Sequence, residues 1–229
     1  MTDVQERSLG ALVTANSAAA RVFERHGLDY CCNGARSLGD ACASAGIDTN
    51  AVAADLDALD ATDDTNWAFL DPPALADHIV TSHHRYLWEE LPLLDALAAK
   101  VEAAHGQRHP ELAKIRRLVA DLRADLEPHL LKEERVLFPA IAALAEGLMD
   151  FPFGSVAQPI HMMVIEHDHA GELLSLLRAS TQDYHVPTDG CASYRSLYER
   201  LAALELDTHV HIHKENHVLF PAALRLAGF

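Results

Sequence analysis

Two segments of the chain repeat the same pattern of side chains that can bind a metal. His129 and Glu133 stand four residues apart and precede the string Val-Leu-Phe-Pro-Ala, and His211 and Glu215 repeat both features. Residues four apart on a helix share one face, so each segment can aim an imidazole and a carboxylate at a common point. Two such pairs facing each other would form a nitrogen- and oxygen-rich site that suits a transition metal.

Two single histidines extend this pattern. His84 precedes His129 by 45 residues and His167 precedes His211 by 44, so each half of the repeat pairs a helix with one histidine and a helix with His-x3-Glu. All six residues fall on stripes with steps of three and four, where a helical bundle normally places leucine. Six polar groups in one core layer would each cost about 1–3 kcal/mol if they had no partner. A pair of metal ions would remove that cost, and the predicted ligands are His84, His129, Glu133, His167, His211 and Glu215.

Four long helical patterns position these residues. They run over residues 74–104, 111–146, 159–179 and 192–226, and Gly, Pro and Asp occupy the connections, as is typical of bundle loops. The core-facing stripes of the first, second and fourth patterns include Val80, Val136 and Val218. Another stripe of the fourth helix has His209, His213 and His217, for which we predict a solvated face.

The first sixty residues predict a separate helical module. Short helices are expected over residues 9–13, 17–25, 37–45 and 50–59, followed by a polar stretch and Asp71-Pro72-Pro73. The predicted division is a small helical domain over 1–60, a linker over 61–73 and a four-helix bundle over 74–229. The fold class is therefore all-α, an up-down four-helix bundle with a small N-terminal helical domain.

Composition narrows the classes of function. The 229 residues include 34 acidic and 18 basic side chains, and a net charge of −16 disfavours nucleic acid and anionic membranes. The N-terminus has no basic head followed by an apolar run, and no stretch reaches the roughly 20 apolar residues of a membrane span. Four cysteines are too few for a disulfide scaffold. We expect a cytoplasmic protein, and a homodimer through the N-terminal module is left open.

The bundle resembles the hemerythrin-like di-iron domains, which have the order His, His-x3-Glu, His, His-x3-Glu on four helices. The string Asp29-Tyr30-Cys31-Cys32-Asn33-Gly34 is similar to the Asp-Tyr-Cys-Cys-x-Gly motif of the iron–sulfur cluster repair di-iron proteins. The resemblance implies two iron ions with an oxo bridge, held by the six predicted ligands with Glu133 and Glu215 as bridging carboxylates. Manganese and zinc accept the same donors. Glu166 is a weaker candidate, as an extra ligand or as a tuner of the site, and His105 is a candidate for an access path.

The adjacent Cys31 and Cys32 are the candidate catalytic residues outside the bundle. A thiolate at a helix start has a lowered pKa and is a good metal ligand or nucleophile. The alternative is a pair of small apolar residues that pack the module. The resemblance favours a redox role or transient handling of iron, sulfur or nitric oxide, whereas Cys42 and Cys191 are predicted to be structural.

Three functions are open on these residues. The first is a stress-response protein that repairs iron–sulfur clusters damaged by nitric oxide or oxidants, with damaged or apo iron–sulfur proteins as partners and delivery of iron as its mode. The second is a di-iron enzyme that reduces nitric oxide. The third is a hemerythrin-type protein that binds or senses dioxygen, for which the four core histidines fall short of the five typical of oxygen carriers.

Overall fold

The computed structural model describes residues 2–60 and 67–229, and within these ranges it contains helices and no strand. Five short helices come first: α1 (Thr2–Glu6), α2 (Leu9–Ala15), α3 (Ala19–His26), α4 (Leu38–Ala45) and α5 (Thr49–Asp57). Side chains cap several of them; the Ser37 hydroxyl accepts the N–H of Asp40 at the start of α4, and the Asp48 carboxylate accepts that of Asn50 at the start of α5. Four of these helices were predicted from the sequence.

Four long helical rods follow, each made of helical segments that are consecutive in the chain. The first contains α6 (Pro72–Ile79), the π-helical turn π1 (Val80–His84) and α7 (Arg85–His105); the second contains α8 (Glu111–Lys132), π2 (Glu133–Leu137) and α9 (Phe138–Ala145); the third is α10 (Ala157–Ser180); the fourth contains α11 (Ala192–Lys214), π3 (Glu215–Leu219) and α12 (Phe220–Leu226). Helices α7 and α10 each pack against both α8 and α11. The predicted all-α four-helix bundle is therefore confirmed.

Each π-turn lies beside a predicted metal ligand. In π2 the N–H of Phe138 donates to the carbonyl of Glu133, five residues back, and in π3 Phe220 donates to Glu215 in the same way. A proline follows each phenylalanine, and a proline ring presses on the carbonyl four residues earlier in a regular helix. The wider turn ahead of it leaves room for the ring, and such turns are frequent at functional sites.

The extra residue of each π-turn shifts the buried stripe by one position, so the predictions for Val80, Val136 and Val218 are wrong. Val136 is 42% exposed, while Leu137 is 1% exposed and takes the core position. Leu219 likewise replaces Val218, and Val80 is only partly buried. In α10, which has no π-turn, every predicted stripe residue is buried.

The bundle has apolar packing on both sides of the predicted metal ligands. One cluster includes Leu87 and Leu126, and the other includes Leu137 and Leu219. The ligand positions lie between these clusters along each rod. Because apolar packing closes both ends, the polar residues between them are held out of contact with solvent.

The N-terminal module packs on the histidine stripe of α11, so the prediction of a solvated face is wrong. His213 is fully buried, and its Nε2 lies 3.1 Å from Thr14 Oγ1. His209 Nδ1 lies 2.6 Å from Glu24 Oε1 in α3. The module's apolar core also includes Ile212 of α11. These contacts fix the module on the side of the fourth rod.

The predicted division into 1–60, 61–73 and 74–229 stays a prediction, and residues 61–66 of the linker lie outside the described residues. Helix α6 begins at Pro72, within the predicted linker, because Asp71 accepts the N–H of Ala74 and proline suits the first helical turn. Among the described residues, no helix has the length and apolar character needed to cross a membrane.

Candidate metal centre

The six predicted ligands lie together in one layer of the bundle, and each is at most 2% exposed. They form two groups that share both glutamates: His84 and His211 with Glu133 and Glu215, and His129 and His167 with the same two glutamates. Within each group the ligand atoms lie within 4.8 Å of one another. The geometry therefore offers two adjacent positions for a cation, although the role of each residue as a ligand stays a prediction.

The imidazoles face each other in pairs. The Nε2 atoms of His84 and His211 are 3.2 Å apart, and so are those of His129 and His167. Two neutral rings that meet at Nε2 can share only one proton, whereas two lone pairs can point at one cation. Glu215 joins both pairs, because its Oε1 lies 2.9 Å from His211 Nε2 and its Oε2 lies 3.0 Å from His167 Nε2.

The two glutamates are the strongest sign that the layer fits a metal. Both are fully buried, and the carboxylate oxygens of Glu133 and Oε2 of Glu215 have no hydrogen-bond donor within the described part of the chain. Burial alone would raise the pKa of each carboxyl, but the electrostatic attraction of the neighbouring histidines outweighs it and lowers both pKa values. Two buried negative charges with unpaired oxygens are costly without a cation. This buried cluster indicates metal binding, and its donors suit iron.

Three of the four imidazoles have a second hydrogen bond at Nδ1, on the side away from the layer. His84 pairs with Glu134 Oε1 at 3.1 Å, His129 with Glu166 Oε2 at 2.9 Å, and His167 with Asn216 Oδ1 at 2.9 Å. Such outer partners fix the tautomer, so that Nδ1 carries the proton and Nε2 is left as the ligand. Sequence reasoning missed Glu134 and Asn216, although each directly follows a predicted bridging glutamate.

Glu166 supports a ligand and lies outside both donor groups. Its carboxylate accepts from His129 Nδ1 and pairs with Lys132. The hydrogen bond with His129 is the main reason that the pKa of Glu166 is lowered to about 2. Of the two roles considered for Glu166, the geometry favours tuning of the site over direct binding of the metal.

His211 is held differently from the other three. Its Nδ1 is buried and has no partner among the described residues. Its ring instead stacks on His83, with 5.5 Å between the ring centroids and 5° between the planes. His83 is itself fixed, because Asp207 Oδ1 lies 2.9 Å from its Nδ1 and Lys214 Nζ lies 2.7 Å from its Nε2.

His105 does not join the layer. It ends α7, about 30 Å along the helix from His84 at 1.5 Å per residue. Its Nε2 lies 3.1 Å from Sγ of Cys191, which is exposed rather than part of a core. A cavity of about 200 Å³ borders the layer instead, and its lining includes His129, His167 and Glu166.

Cys31 and Cys32 lie in a loop between α3 and α4, which we call the thiol loop (residues 29–34). Both thiols are free, with 3.7 Å between the sulfur atoms, and Asp29 Oδ1 accepts both backbone N–H groups. The expected lowering of the pKa at a helix start is wrong for Cys31. Its hydrogen bond with Cys32 and its burial raise the pKa well above the ordinary value, and no helix starts there.

The thiol loop lies against the metal-binding layer. Cys32 Sγ is 3.7 Å from the carbonyl oxygen of His167, and the Cys31 carbonyl accepts from Asn216 Nδ2 at 3.2 Å. Asp29, Cys31 and Cys32 also form a third group of closely spaced ligand atoms. A cavity of about 500 Å³ borders them, between the module and helices α10 and α11.

Two family models match the chain. The Hemerythrin HHE cation binding domain matches residues 75–223, and a Domain of Unknown function (DUF542), ScdA_N, matches residues 5–60. The first of these covers more than half of the chain. It contains all six residues of the buried layer, and the second contains the thiol loop.

Several curated proteins are similar over almost the whole length. The iron-sulfur cluster repair protein ScdA of Staphylococcus haemolyticus (strain JCSC1435) is 31% identical over 217 residues, which cover 94% of this chain and 96% of that protein. The iron-sulfur cluster repair protein YtfE of Enterobacter sp. (strain 638) is 33% identical over 221 residues, which cover 96% and 97%. YtfE of Escherichia coli O1:K1 / APEC is 32% identical over the same coverage. With its buried histidine and glutamate layer and its double-cysteine loop, the chain belongs to the hemerythrin-like family of iron–sulfur cluster repair proteins.

Proposed function

We propose that this protein holds two iron ions and uses them to restore iron–sulfur clusters damaged by nitrosative or oxidative stress, by delivering iron to the damaged or apo protein. The observation that carries the proposal is the pair of donor groups that share Glu133 and Glu215. The names of the relatives supply the class of client, an iron–sulfur protein. When bound, iron supplies redox chemistry and an exchangeable cation, with the oxo bridge as its expected resting form.

The residues of the layer would bind iron reversibly. Four neutral imidazoles and two shared carboxylates give each ion four protein donors at most, fewer than the six of a saturated octahedral site. Glu134, Glu166 and Asn216 keep three rings in the tautomer that presents Nε2. Iron could leave on the side of His129 and His167, where the small cavity reaches the layer.

The thiol loop supports the same function. Asp29, Cys31 and Cys32 provide one oxygen and two sulfur donors outside the bundle, close to His167. Thiolates are ligands of iron and of iron–sulfur clusters. We infer that this group passes iron or sulfur between the layer and a client, which gives Cys31 and Cys32 their functional role.

The test combines metal analysis with a repair assay. The protein is loaded with ferrous iron under argon, its iron content and visible absorption after exposure to air are measured, and it is offered to an apo cluster protein. We expect two irons per chain, an oxo-bridge band, and cluster recovery faster than with the same amount of free ferrous iron. Recovery no faster than with free iron would refute delivery, and fewer than two irons would refute the di-iron centre.

Matched variants separate the two sites. Glu133→Gln should lose iron and repair together, because Glu133 belongs to both donor groups. Cys31→Ser/Cys32→Ser should keep the iron and lose repair. Glu199→Gln, at an exposed position of α11, should behave as the wild type. Full repair by the double cysteine variant would show that the two thiols are not needed for repair.

Reduction of nitric oxide is a second candidate, and the small cavity beside His129 and His167 favours it. Its volume of about 200 Å³ admits diatomic ligands next to the layer. Formation of N2O consumes two NO, two electrons and two protons and also gives water. The reduced protein should then produce N2O beyond one equivalent per chain when a reductant is supplied, and a single equivalent would argue against a reductase.

A further inference from the structure

Asn216 lies between the metal-binding layer and the thiol loop and contacts both. Its side-chain oxygen accepts from His167 Nδ1 at 2.9 Å, and its side-chain nitrogen donates to the Cys31 carbonyl at 3.2 Å. An amide side chain can accept at one end and donate at the other, which an ionised carboxylate cannot do. Asn216 therefore links a predicted metal ligand to the backbone of the double-cysteine segment through two consecutive hydrogen bonds.

This link exists at one imidazole and not at its counterparts. The outer partners of His84 and His129 are carboxylates, Glu134 and Glu166, which accept hydrogen bonds and have none to donate when ionised. His211 Nδ1 has no outer partner within the described residues. His167 is thus the ligand position through which the layer can act on the thiol loop.

The thiol loop is seated closely enough to respond to such a link. A Cβ atom at Gly34 would lie 2.1 Å from the Tyr30 carbonyl oxygen and 2.4 Å from His217 Nε2, so only glycine fits there. His217 Nε2 also donates to the Cys31 carbonyl, at 2.9 Å. Asn216 and His217 both belong to π3, which begins at the predicted ligand Glu215.

The second contact of the loop leads to the same ligand. The Cys32 thiol donates to the main-chain carbonyl of His167, with 3.7 Å between sulfur and oxygen. The side chain of His167 thus reaches Cys31 through Asn216, and its backbone reaches Cys32 directly. A change in the position of His167 would therefore be transmitted to the backbone of Cys31 and to the thiol of Cys32.

We propose that Asn216 is a positioning residue that couples the thiol loop to His167, so that filling the metal centre restrains Cys31 and Cys32 and emptying it releases them. The coupling rests on the proposed function, because it requires His167 to bind metal. A cation at Nε2 makes the Nδ1–H a stronger donor to Asn216. The amide is then held more firmly, and so is the carbonyl of Cys31.

The physical consequence is a thiol pair whose reactivity reports on the iron content of the bundle. A protein that has given up its iron would expose reactive thiols, and a loaded protein would keep them seated. This would let the same chain distinguish its loaded and empty states when it meets a client.

The experiment measures alkylation of Cys31 and Cys32 by iodoacetamide under argon, followed by mass spectrometry, in metal-free protein and at saturation with ferrous iron. In the wild type we expect iron to slow alkylation by a factor of about two to five, because it strengthens an existing link by no more than the net free energy of one whole hydrogen bond. Asn216→Asp offers His167 an acceptor but offers Cys31 no donor, so the ratio of the two rates should fall to about one. His217→Leu, which loosens the loop without touching a ligand, should be faster in both states and keep the ratio.

Iron bound directly to the thiols would also slow alkylation, and Glu133→Gln excludes this. In that variant the thiol loop is unchanged, and iron should have no effect on the rates. Slowing by iron in Glu133→Gln, or a preserved ratio in Asn216→Asp, would overturn the coupling. Two irons bound with no change in the wild-type rates would overturn the coupling alone, whereas failure of the wild type to bind iron would overturn the proposed function as well.

Discussion

Replacement of Glu133 by leucine tests whether this buried carboxylate serves metal binding or the stability of the fold. Glu133 is fully buried, its oxygens have no hydrogen-bond donor among the described residues, and its nearest cations are His84 and His129 at 3.4 and 3.3 Å. Glu133→Leu keeps the volume and removes the buried charge. At pH 8 the two histidines can become neutral, and each keeps its outer hydrogen bond to Glu134 or Glu166.

The expected magnitude follows from the cost of that charge. Exchange of a whole buried ion pair for apolar residues of similar size is often neutral or stabilises by about 1–4 kcal/mol, and Glu133→Leu approaches this case because the two histidines it leaves become neutral. We expect metal-free Glu133→Leu to unfold in urea with a free energy about 1–3 kcal/mol above that of the metal-free wild type. In the wild type, iron at one hundred times its dissociation constant should add about 2.7 kcal/mol, and the variant should lose this increment.

The control is Glu199→Leu, at an exposed position of α11, which should change stability by no more than about 0.5 kcal/mol and keep the effect of iron. The reasoning would be wrong if metal-free Glu133→Leu were less stable by about 3–5 kcal/mol, the usual result of breaking a structural buried pair. It would also be wrong if the variant still gained stability from iron as the wild type does.

Three further predictions address the surroundings of the layer. Glu166→Gln removes the carboxylate that accepts from His129 and should weaken iron binding about 10- to 100-fold, measured by competition with a chelator. Burial opposes protonation of His129, but the charge of Glu133 and its hydrogen bonds outweigh it and raise its pKa to about 10. The resulting stability of the metal-free protein should be fully present below the ordinary pKa of about 6.5 and fall by about 4 kcal/mol as the pH rises to 10. Iron-loaded protein, with a neutral imidazole, should show no such step in urea unfolding. Gly34→Ala should destabilise the module by more than about 2 kcal/mol in the same urea assay. Gly39→Ala, inside α4, should be neutral or slightly stabilising, because its added Cβ would meet the Gln5 carbonyl oxygen of α1 at an ordinary contact distance of 3.4 Å.

The regular parts of the fold could be predicted from spacing alone. Steps of three and four identified the rods and aligned His84, His129, His167 and His211 into one layer, because a helix keeps its period wherever it is regular. The prediction failed in the turn that begins at Glu133, where Leu137 is buried instead of Val136, the residue one position earlier that was predicted. A π-turn adds a residue without changing the local composition, so a count that assumes one period loses its phase there.

The outer part of the site was harder to predict for another reason. Glu134 and Asn216 are polar residues next to a ligand, and a side chain at i+1 points away from the face of residue i on a regular helix. Their partners come from other rods, His84 and His167, and nothing local in the sequence specifies that approach. The seating of the thiol loop on α10 and π3 likewise depends on tertiary packing of the module.

The stacked, singly anchored ring of His211 makes the two halves of the centre chemically unequal. Turning the ring of His129 or His167 would break a hydrogen bond at Nδ1, whereas Nδ1 of His211 has no such bond among the described residues and its ring rests on the face of His83. The two cation positions are therefore expected to exchange their ions at different rates, because the position beside His129 and His167 has the opening and the position beside His84 and His211 has the less firmly held ring. A sequence with nearly twofold internal repetition can in this way form two metal positions that are not equivalent.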